Sequence, residues 1–546
     1  MRQIDRMTVE EYGIPSLLLM EAAASACLQT INTHFSNNLA GKRARVLCGP
    51  GNNGGDGAAL ARALSRAGVH TDVILFGKLE NTRGDARANF EMVHQLAKFE
   101  AGSAQLPSSL SFSECADVGA WEQLASPRRA YDCIVDALFG TGLKRPLDGI
   151  YSQVIQHLEM IREARERSDR VKPLILSIDI PSGLDADRSE PIGEAVRADK
   201  TVTFTAPKPA NVLPPSSFLN GELIVADIGS PSALLNGAHA NLLLVEESDA
   251  REWLVRTRYA PDSYKNTHGH ALVIAGSRGY TGAAALCGNA AIKSGAGLVT
   301  IATPASAESA VAARTMAEVI TAALAETDRG AVNEEASDHI ARLSAKATAA
   351  ALGPGLSEED ERTRNFVRRV VDERTTPLVI DADGLNCLAP WPADLSGTKE
   401  CPLILTPHPG EMLRLLGSSD KSVLANRVET IRDFATRHQL ILLLKGPRSL
   451  VAAPDGRVFI NSSGNAGLGT AGAGDTLTGI ITGFLAQAFA RLKADALSTT
   501  LAALYVGGLA GDIAARDLGM RTMIASDIRE RLGAAVRLLD PEGEMP

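Results

Sequence analysis

Between residue 45 and about residue 230, unbroken apolar runs alternate with amphipathic stretches: "RVLCG", "TDVILFG", "YDCIVDALFG", "PLILSIDI", "KTVTFTAPKP" and "GELIVADIG". Apolar runs without polar alternation, separated by helix-length segments, predict strands of a mostly parallel sheet covered on both faces. Ahead of them "SLLLMEAAASACLQTI" predicts a helix. The pattern loosens between 230 and 265 through "GSPSALLNGAHA" and "EESDAREWLVRTRYAPDSYKN". It then resumes with "GHALVIAG", "GLVTIATP", "TAAALGPG", "PLVIDADG", "PLILTPHPGE", "LILLLKG" and "GRVFINSSGN". The final stretches, "AGAGDTLTGIITGFLAQ" and "LSTTLAALYVGGLAGDIAA", are long, apolar and rich in small residues, which predicts closely packed core helices. The expected fold class is therefore α/β in two domains, 1–235 and 263–546, with 236–262 as a linker region. The halves share a strand, glycine loop, helix grammar but no aligned repeat.

A length of 546 residues exceeds what one core organises, in keeping with two domains. With 45% hydrophobic and 22% charged residues the composition is that of an ordinary globular protein. A net charge of −9 without runs of like charge offers no face to nucleic acid or an anionic membrane, so any phosphate recognition is local. The start, "MRQIDRMTVEEYG", lacks the apolar core of a signal peptide, and no apolar stretch reaches membrane-spanning length without a charge or a glycine-rich break. Seven scattered cysteines without a CxxC pair indicate neither a zinc site nor a disulfide framework, and fit a reduced, cytoplasmic setting.

In the second half the chemistry concentrates in "GTAGAGDTLTG", which sets Gly472, Gly474 and Asp475 just before a helical run. Glycines let backbone approach an anion, and a helix start supplies amide donors and the positive end of its dipole. A carboxylate at such a turn would repel an anion unless it had a chemical role. Asp475 is either a general base for a hydroxyl attacking phosphorus or a plain helix cap. "KGPRS" (Lys445, Gly446, Pro447, Arg448, Ser449) follows a strand and places two cations where nucleotide phosphates can be met. "LGPGL" with Gly355, "IDADGLN" with Asp381, Asp383 and Asn386, and "TPHPGEM" with His408 and Glu411 also fall just after strands, where open parallel sheets bind ligands. Asp381, Asp383 and Glu411 are candidates to hold magnesium, directly or through water, or simply solvated carboxylates.

Together these blocks resemble the ribokinase-like fold over residues 250–540, and within it the ADP- or ATP-dependent NAD(P)H-hydrate dehydratases. The resemblance implies a repair reaction in which the hydroxyl at C6 of a hydrated nicotinamide is phosphorylated by ADP or ATP, with magnesium, and then leaves as phosphate. By matching motif it implies Asp475 as base, Gly474 and Lys445, Gly446, Pro447, Arg448 and Ser449 against the nucleotide, and Ala283 (in "GYTGAAAL"), Gly355, His408 and Asp475 against the hydrate.

In the first half, "GPGNNGGDG" (49–57) lacks the lysine and Ser/Thr of a Walker A loop and the spacing of GxGxxG. Two other strand ends, "VDALFGTGLKRPL" and "SIDIPSGLDAD", keep it company. Asn53, Asp136 and Ser182 each offer a hard oxygen, and one formal charge among three suits a monovalent cation such as potassium better than a divalent one, unless they are merely hydrogen-bonded loop residues. The glycines of "GTGLKRP" can wrap phosphates while Lys144 adds local charge.

This set resembles the NAD(P)H-hydrate epimerase domain over residues 1–230, which implies a Rossmann-like three-layer fold and interconversion of the R and S hydrates at C6. It further implies Asn52, Asn53, Gly54, Gly55 and Asp56 as one substrate loop and Gly140, Thr141, Gly142, Leu143, Lys144, Arg145 and Pro146 as a second. Asp179 becomes a substrate contact, and Asn53, Asp136 and Ser182 become potassium ligands. Asp179, assisted by Lys144, is expected to do the acid/base work, although it can equally cap the turn at "PSG". The implied partners are NADHX and NADPHX with ADP or ATP, and a second copy of the chain in a homo-oligomer. The competing expectation is a small-molecule kinase joined to a non-catalytic Rossmann-like binding module, which gives "NNGGDG" and "GTGLKRP" no role.

Overall fold

The computed structural model describes residues 1–102, 109–125, 130–166, 173–237, 240–490 and 495–543. The chain divides into two compact units, 1–239 and 240–546. The first is built on strands β1 (Arg43–Cys48), β2 (His70–Phe76), β3 (Leu110–Cys115), β4 (Cys133–Ala137), β5 (Leu174–Ile178), β6 (Lys200–Phe204) and β7 (Glu222–Ala226). They form one sheet in the order β3-β2-β1-β4-β5-β6-β7, parallel throughout. Successive side chains leave opposite faces: Val46 and Cys48 join a core with helices Ser16–His34, Asn52–Arg66 and Gly84–Gly102, while Leu47 joins one with Trp121, Val154 and Leu158. Both faces of β4 and β5 are buried, which is why those runs read as unbroken apolar sequence.

The second unit contains β8 (Leu242–Val245), β9 (His270–Ile274), β10 (Leu298–Pro304), β11 (Val319–Leu324), β12 (Ala349–Leu352), β13 (Leu378–Ile380), β14 (Leu403–Leu405), β15 (Ile441–Leu444), β16 (Leu450–Ala452) and β17 (Val458–Asn461). The sheet order is β11-β10-β9-β12-β13-β14-β15-β16-β17-β8, with β16 antiparallel to both neighbours and the rest parallel. The stretch expected to link the halves, 236–262, differs from that expectation. Apart from residues 238–239, which lie outside the described residues, it carries edge strand β8 and helix Glu247–Thr257 of this unit. Trp253 of that helix stacks on Phe484 with ring centroids 4.3 Å apart and donates its indole N–H to Thr499 Oγ1 at 3.0 Å. A short edge strand with mixed burial gives little sequence contrast, so its pairing is legible only in three dimensions.

The small-residue helices are core, as their composition predicts. A Cβ on Gly479 of helix Ala473–Ala490 would stand 2.1 Å from the Cys287 carbonyl oxygen of helix Thr281–Lys293, and one on Gly483 2.5 Å from that of Ala291. Helix Ala496–Leu518 is long and apolar enough to cross a membrane, yet 72% of its most apolar window is buried within the fold.

In each sheet the strand order reverses between the third and fourth strands, between β1 and β4 and between β9 and β12. The carboxyl ends of these strands open the crevice in which α/β sheets bind ligands. Backbone closes across both: Gly49 N donates to Ala137 O at 3.0 Å, and Gly353 N to Ile274 O at 3.1 Å.

Candidate active sites

In the first unit Asn52 and Asn53 open helix Asn52–Arg66 directly after β1. Its glycines make the close approach possible: a Cβ on Gly54 would lie 1.8 Å from Gly49 O, on Gly55 2.8 Å from Ala86 Cα, and on Gly57 2.6 Å from Ala137 Cβ. Gly54 and Gly55 are thus buried packing positions, so any contact they make with a ligand is through backbone. Asn53 is 9% exposed and its Nδ2 has no partner, an unmet donor at the crevice.

Gly140 sits where a side chain would collide. A Cβ there would be 3.1 Å from Asn53 Oδ1 and 3.3 Å from Asp179 Oδ2, so the two predicted loops and Asp179 meet at one point. Leu143 is buried and pins the second loop, while Gly142, Lys144, Arg145 and Pro146 are exposed and Thr141 is half-buried. Arg2, from the N-terminal helix Arg2–Glu10, donates to the Thr141 carbonyl, which brings that helix onto the loop.

Asp136 ends β4 completely buried. Its Oδ1 accepts from Ser182 Oγ at 2.6 Å and Leu138 N at 3.3 Å, and its Oδ2 from Ser177 Oγ at 2.8 Å and Ser182 N at 2.9 Å. Burial pushes its carboxyl up, and the Ser182 bonds offset part of that. Every donor is neutral, and among the described residues no cationic side chain pairs with it. A buried carboxylate of this kind calls for a proton or a cation. The Phe139 carbonyl lies 3.2 Å from Ser182 Oγ, so carboxylate, hydroxyl and carbonyl oxygens meet at Asp136 and Ser182, a donor set that fits a monovalent ion.

Asp179 follows β5 in the left-handed region, φ +67°, and is 9% exposed. Its expected helper, Lys144, is elsewhere: the ammonium binds Asp185 Oδ1 at 2.7 Å and Asp187 Oδ2 at 2.6 Å, on a side chain 49% exposed. These two carboxylates lie on Asp179's own loop and hold the ammonium away from it. The lysine on Asp179 is Lys208, from "APKP" after β6, with Nζ 2.5 Å from Oδ1. Sequence reasoning misses it because that motif reads only as the end of a strand. Asp56 and Asp5 face the same group; burial pushes both carboxyls up, and the Asp179 charge adds to each.

In the second unit Asp381 follows β13, 1% exposed, and accepts from Lys445 Nζ at 2.6 Å and Thr478 Oγ1 at 2.8 Å. Burial pushes its carboxyl up, but the Lys445 ammonium more than offsets this and the net direction is down. Lys445 also lies 3.9 Å from Glu411 Oε2. A Cβ on Gly474 would stand 3.3 Å from Lys445 Nζ and 3.7 Å from Asp381 Oδ2, so glycine is what lets the head of helix Ala473–Ala490 reach this pair. Asp475, next in that first turn, is pushed up to about 6, first by burial and then by the Asp381 charge.

The remaining residues surround this group. His408 caps helix Pro409–Leu415: its Nδ1 accepts from Gly410 N at 2.9 Å, and its own N–H donates to Glu411 Oε2 at 2.7 Å. With Nδ1 accepting, the ring proton is assigned to Nε2, which lies 3.5 Å from Glu411 Oε1. Gly355, at φ +64°, leaves room for Tyr280 and Ala283; a Cβ there would meet Ala283 Cβ at 3.1 Å. The "KGPRS" turn is held by Ser449 Oγ donating to Gly446 O at 3.1 Å and Arg448 donating to Ser462 O at 2.5 Å, with Gly446, Pro447 and Arg448 exposed. Lys445 points inward to Asp381 while Arg448 remains on the surface. Asp383 caps Ser357 N at 2.9 Å. Asp381, Asp383 and Glu411 each accept from protein donors: Lys445 and Thr478 on Asp381, Ser357 N on Asp383 and His408 N on Glu411.

Two family models match this chain: NAD(P)H-hydrate dehydratase over residues 271–533, and YjeF-related protein N-terminus over residues 16–210. Among curated relatives, the bifunctional NAD(P)H-hydrate repair enzyme Nnr of Moorella thermoacetica is 39% identical over 544 residues, covering 100% of this chain and 97% of its own. That of Escherichia coli is 29% identical over 541 residues, covering 99% and 93%. A solved ADP/ATP-dependent NAD(P)H-hydrate dehydratase from Bacillus subtilis, co-crystallised with ATP/Mg2+, is 28% identical over 55% of this chain and 99% of its own, with a TM-score of 0.47.

Proposed function

The chain belongs to the family of bifunctional NAD(P)H-hydrate repair enzymes, with an epimerase half and a nucleotide-dependent dehydratase half, and from that premise we propose how its residues divide the work. In the second unit Asp475 takes the proton of the C6 hydroxyl of the S hydrate as that oxygen attacks the terminal phosphorus of ADP or ATP. The P–O bond to the nucleotide breaks, and the new C6 phosphate then departs with its electron pair. Loss of a C5 proton restores the ring double bond and gives NADH or NADPH. The observation that carries this reading is the position of Asp475, one residue past Gly474 at a helix start, unpaired beside the Lys445–Asp381 ion pair. The helix start and the 445–449 turn receive the nucleotide, and Ala283, Gly355 and His408 receive the hydrate. Magnesium, brought with the nucleotide, would supply positive charge against its phosphates, and Asp381, Asp383 and Glu411 are the carboxylates at this sheet edge that would face it directly or through water.

In the first unit the crevice at Asn52, Asn53 and Asp56 and at 140–146 holds the hydrate, with Asp179 as the proton-transfer group. Inversion at C6 without redox change can proceed by the hydroxyl leaving as water and returning on the other face, with one proton given and one taken. Asn53, Asp136 and Ser182 would hold potassium, a reading supported by the buried carboxylate of Asp136, whose donors are all neutral, and the ion would supply a fixed positive charge at the strand edge. We place the enzyme in the cytoplasm, supported by seven cysteines that are all free thiols. A homo-oligomer rests on the family resemblance alone.

Incubating the protein with chemically hydrated NADH and ADP, then ATP, is expected to restore reduced-nicotinamide absorbance; failure with both sinks the dehydratase reading. Purified R hydrate tests the first unit: full-length protein with nucleotide repairs it faster than the isolated second unit, and equal rates would leave the first unit a mere binding module.

A further inference from the structure

A buried polar network lies under the first crevice, and neither the motifs nor the relatives' names account for it. Lys208 is 5% exposed and its ammonium makes three hydrogen bonds, to Asp179 Oδ1 at 2.5 Å, Thr203 Oγ1 at 2.8 Å and the Phe204 carbonyl at 3.1 Å. Thr203 Oγ1 in turn lies 3.1 Å from Asp179 Oδ1 and 3.3 Å from Asn211 Oδ1. Asn211 closes the loop by accepting from Lys208 N at 2.9 Å and donating to the Asp179 carbonyl at 3.3 Å. Both backbones that carry the ion pair are therefore clamped to one asparagine. Asp179 itself is held in the left-handed region, where a non-glycine residue is strained and persists only if its surroundings over-determine it.

Burying an ion pair usually contributes little to stability against an apolar replacement, so its presence at a ligand crevice points to positioning. The second oxygen of Asp179 is aimed outward: it is the atom that a Cβ on Gly140 would meet at 3.3 Å. One oxygen is locked by the ammonium, and the other is presented at the meeting point of the two substrate loops.

We propose that Lys208 is the positioning residue of the epimerase site, fixing the Asp179 carboxylate with Oδ2 turned to the substrate. The inference rests on the reading of Asp179 as the proton-transfer group. Asp5 from the first helix and Asp56 from helix Asn52–Arg66 also face this group, and among the described residues Lys208 hydrogen-bonds Asp179 and neither of the other two.

The experiment measures interconversion of purified R hydrate to S by the full chain without nucleotide, as kcat and KM against pH, for wild type, Lys208→Met, Lys208→Arg, Thr203→Val and Asp179→Asn. Thermal unfolding of each full-length variant, followed by circular dichroism, reports on folding of the first unit, and repair of S hydrate with ADP on that of the second. In Lys208→Met, Asp179 Oδ1 loses its anchor and kcat falls by about tenfold or more. KM changes by less than about threefold, as expected when positioning and not binding is lost. Lys208→Arg, which keeps the cation, restores kcat in part. Wild-type kcat in Lys208→Met, or a fall in kcat with no recovery in Lys208→Arg, overturns the proposal. If Lys208→Met does not fold, Lys208→Arg and Thr203→Val decide. A fall in kcat with KM kept supports positioning, and wild-type kcat in both overturns it. Retained epimerisation in Asp179→Asn is a separate result and sinks the underlying assignment of the base.

Discussion

Lys445 Nζ sits 2.6 Å from Asp381 Oδ1, and this pairing leaves Asp475 as the carboxyl without a cation of its own. Two carboxylates near one lysine are thereby made unequal: Asp381 is driven down and Asp475 is pushed up to about 6. Environments that separate the titration of neighbouring groups are how one site obtains a fixed anion and a working base.

The dehydration rate should therefore depend on pH through Asp475. A base must be deprotonated, so at saturating hydrate and nucleotide kcat rises through about pH 6 and levels above it. Asp475→Asn abolishes repair while epimerisation persists. The same shift has a stability sign. A carboxyl raised above its unfolded value of 3.8 favours folding most below pH 3.8, and that contribution is lost as pH rises through about 6. Asp475→Asn is accordingly expected to stabilise the second unit at pH 7 by on the order of 1–3 kcal/mol. Melting curves of both proteins at pH 5 and pH 7.5 check this, the gap between them widening at the higher pH.

The ion pair itself predicts a non-additive result. Asp381 is buried, so Lys445→Met strands its charge and should cost about 3–5 kcal/mol as well as the dehydratase activity. Asp381→Leu combined with Lys445→Met should recover most of that stability and none of the activity. Denaturant unfolding of the two single variants and the double variant gives the coupling.

The Asp475 turn is legible in sequence because glycine spacing, helix start and carboxylate all fall within seven residues, 469–475. The parallel sheets are legible for a similar local reason: strands buried on both faces leave unbroken apolar runs. What the sequence hides are partners brought in from distant positions. Lys144 and Lys208 both follow strands and look alike as residues. Only the fold shows that Asp185 and Asp187 occupy the first, while Asn211 steers the second onto Asp179. The "NNGGDG" glycines read as a ligand loop, yet Gly54, Gly55 and Gly57 each meet protein atoms where a side chain would start. Arg2 and Asp5 carry no motif at all, and a helix packed onto a site leaves no periodic signature of that contact.

Potassium should act through Asp136. Replacing potassium with choline at constant ionic strength is expected to lower epimerase kcat and the stability of the first unit, the latter by about 2.7 kcal/mol for an ion held at a hundredfold its dissociation constant. Asp136→Asn, which removes the buried charge, should make both quantities insensitive to the exchange. Continued dependence in that variant places the ion elsewhere.

Gly479 carries no reactive group, yet it lies one helical turn beyond Asp475, on the face where helices Ala473–Ala490 and Thr281–Lys293 press together. A methyl at Gly479 would lie 2.1 Å from Cys287 O and 2.8 Å from Ala290 Cβ, backbone and a short side chain that cannot swing aside. The helices must separate, at a cost of about 1–3 kcal/mol for overpacking. Ala283 is carried on one of these helices and Asp475 on the other, so separation widens the distance between the hydrate contact and the base. A displacement of about 1 Å at a reacting centre can lower rate about a hundredfold. Gly479→Ala is thus expected to depress dehydratase kcat far more than its stability loss explains, with epimerisation of R hydrate unchanged. Gly54→Ala, whose methyl would lie 1.8 Å from Gly49 O, should give the converse pattern. Assaying both activities on both variants checks the pair, and an equal loss of the two activities in either variant would count against helix separation as the cause.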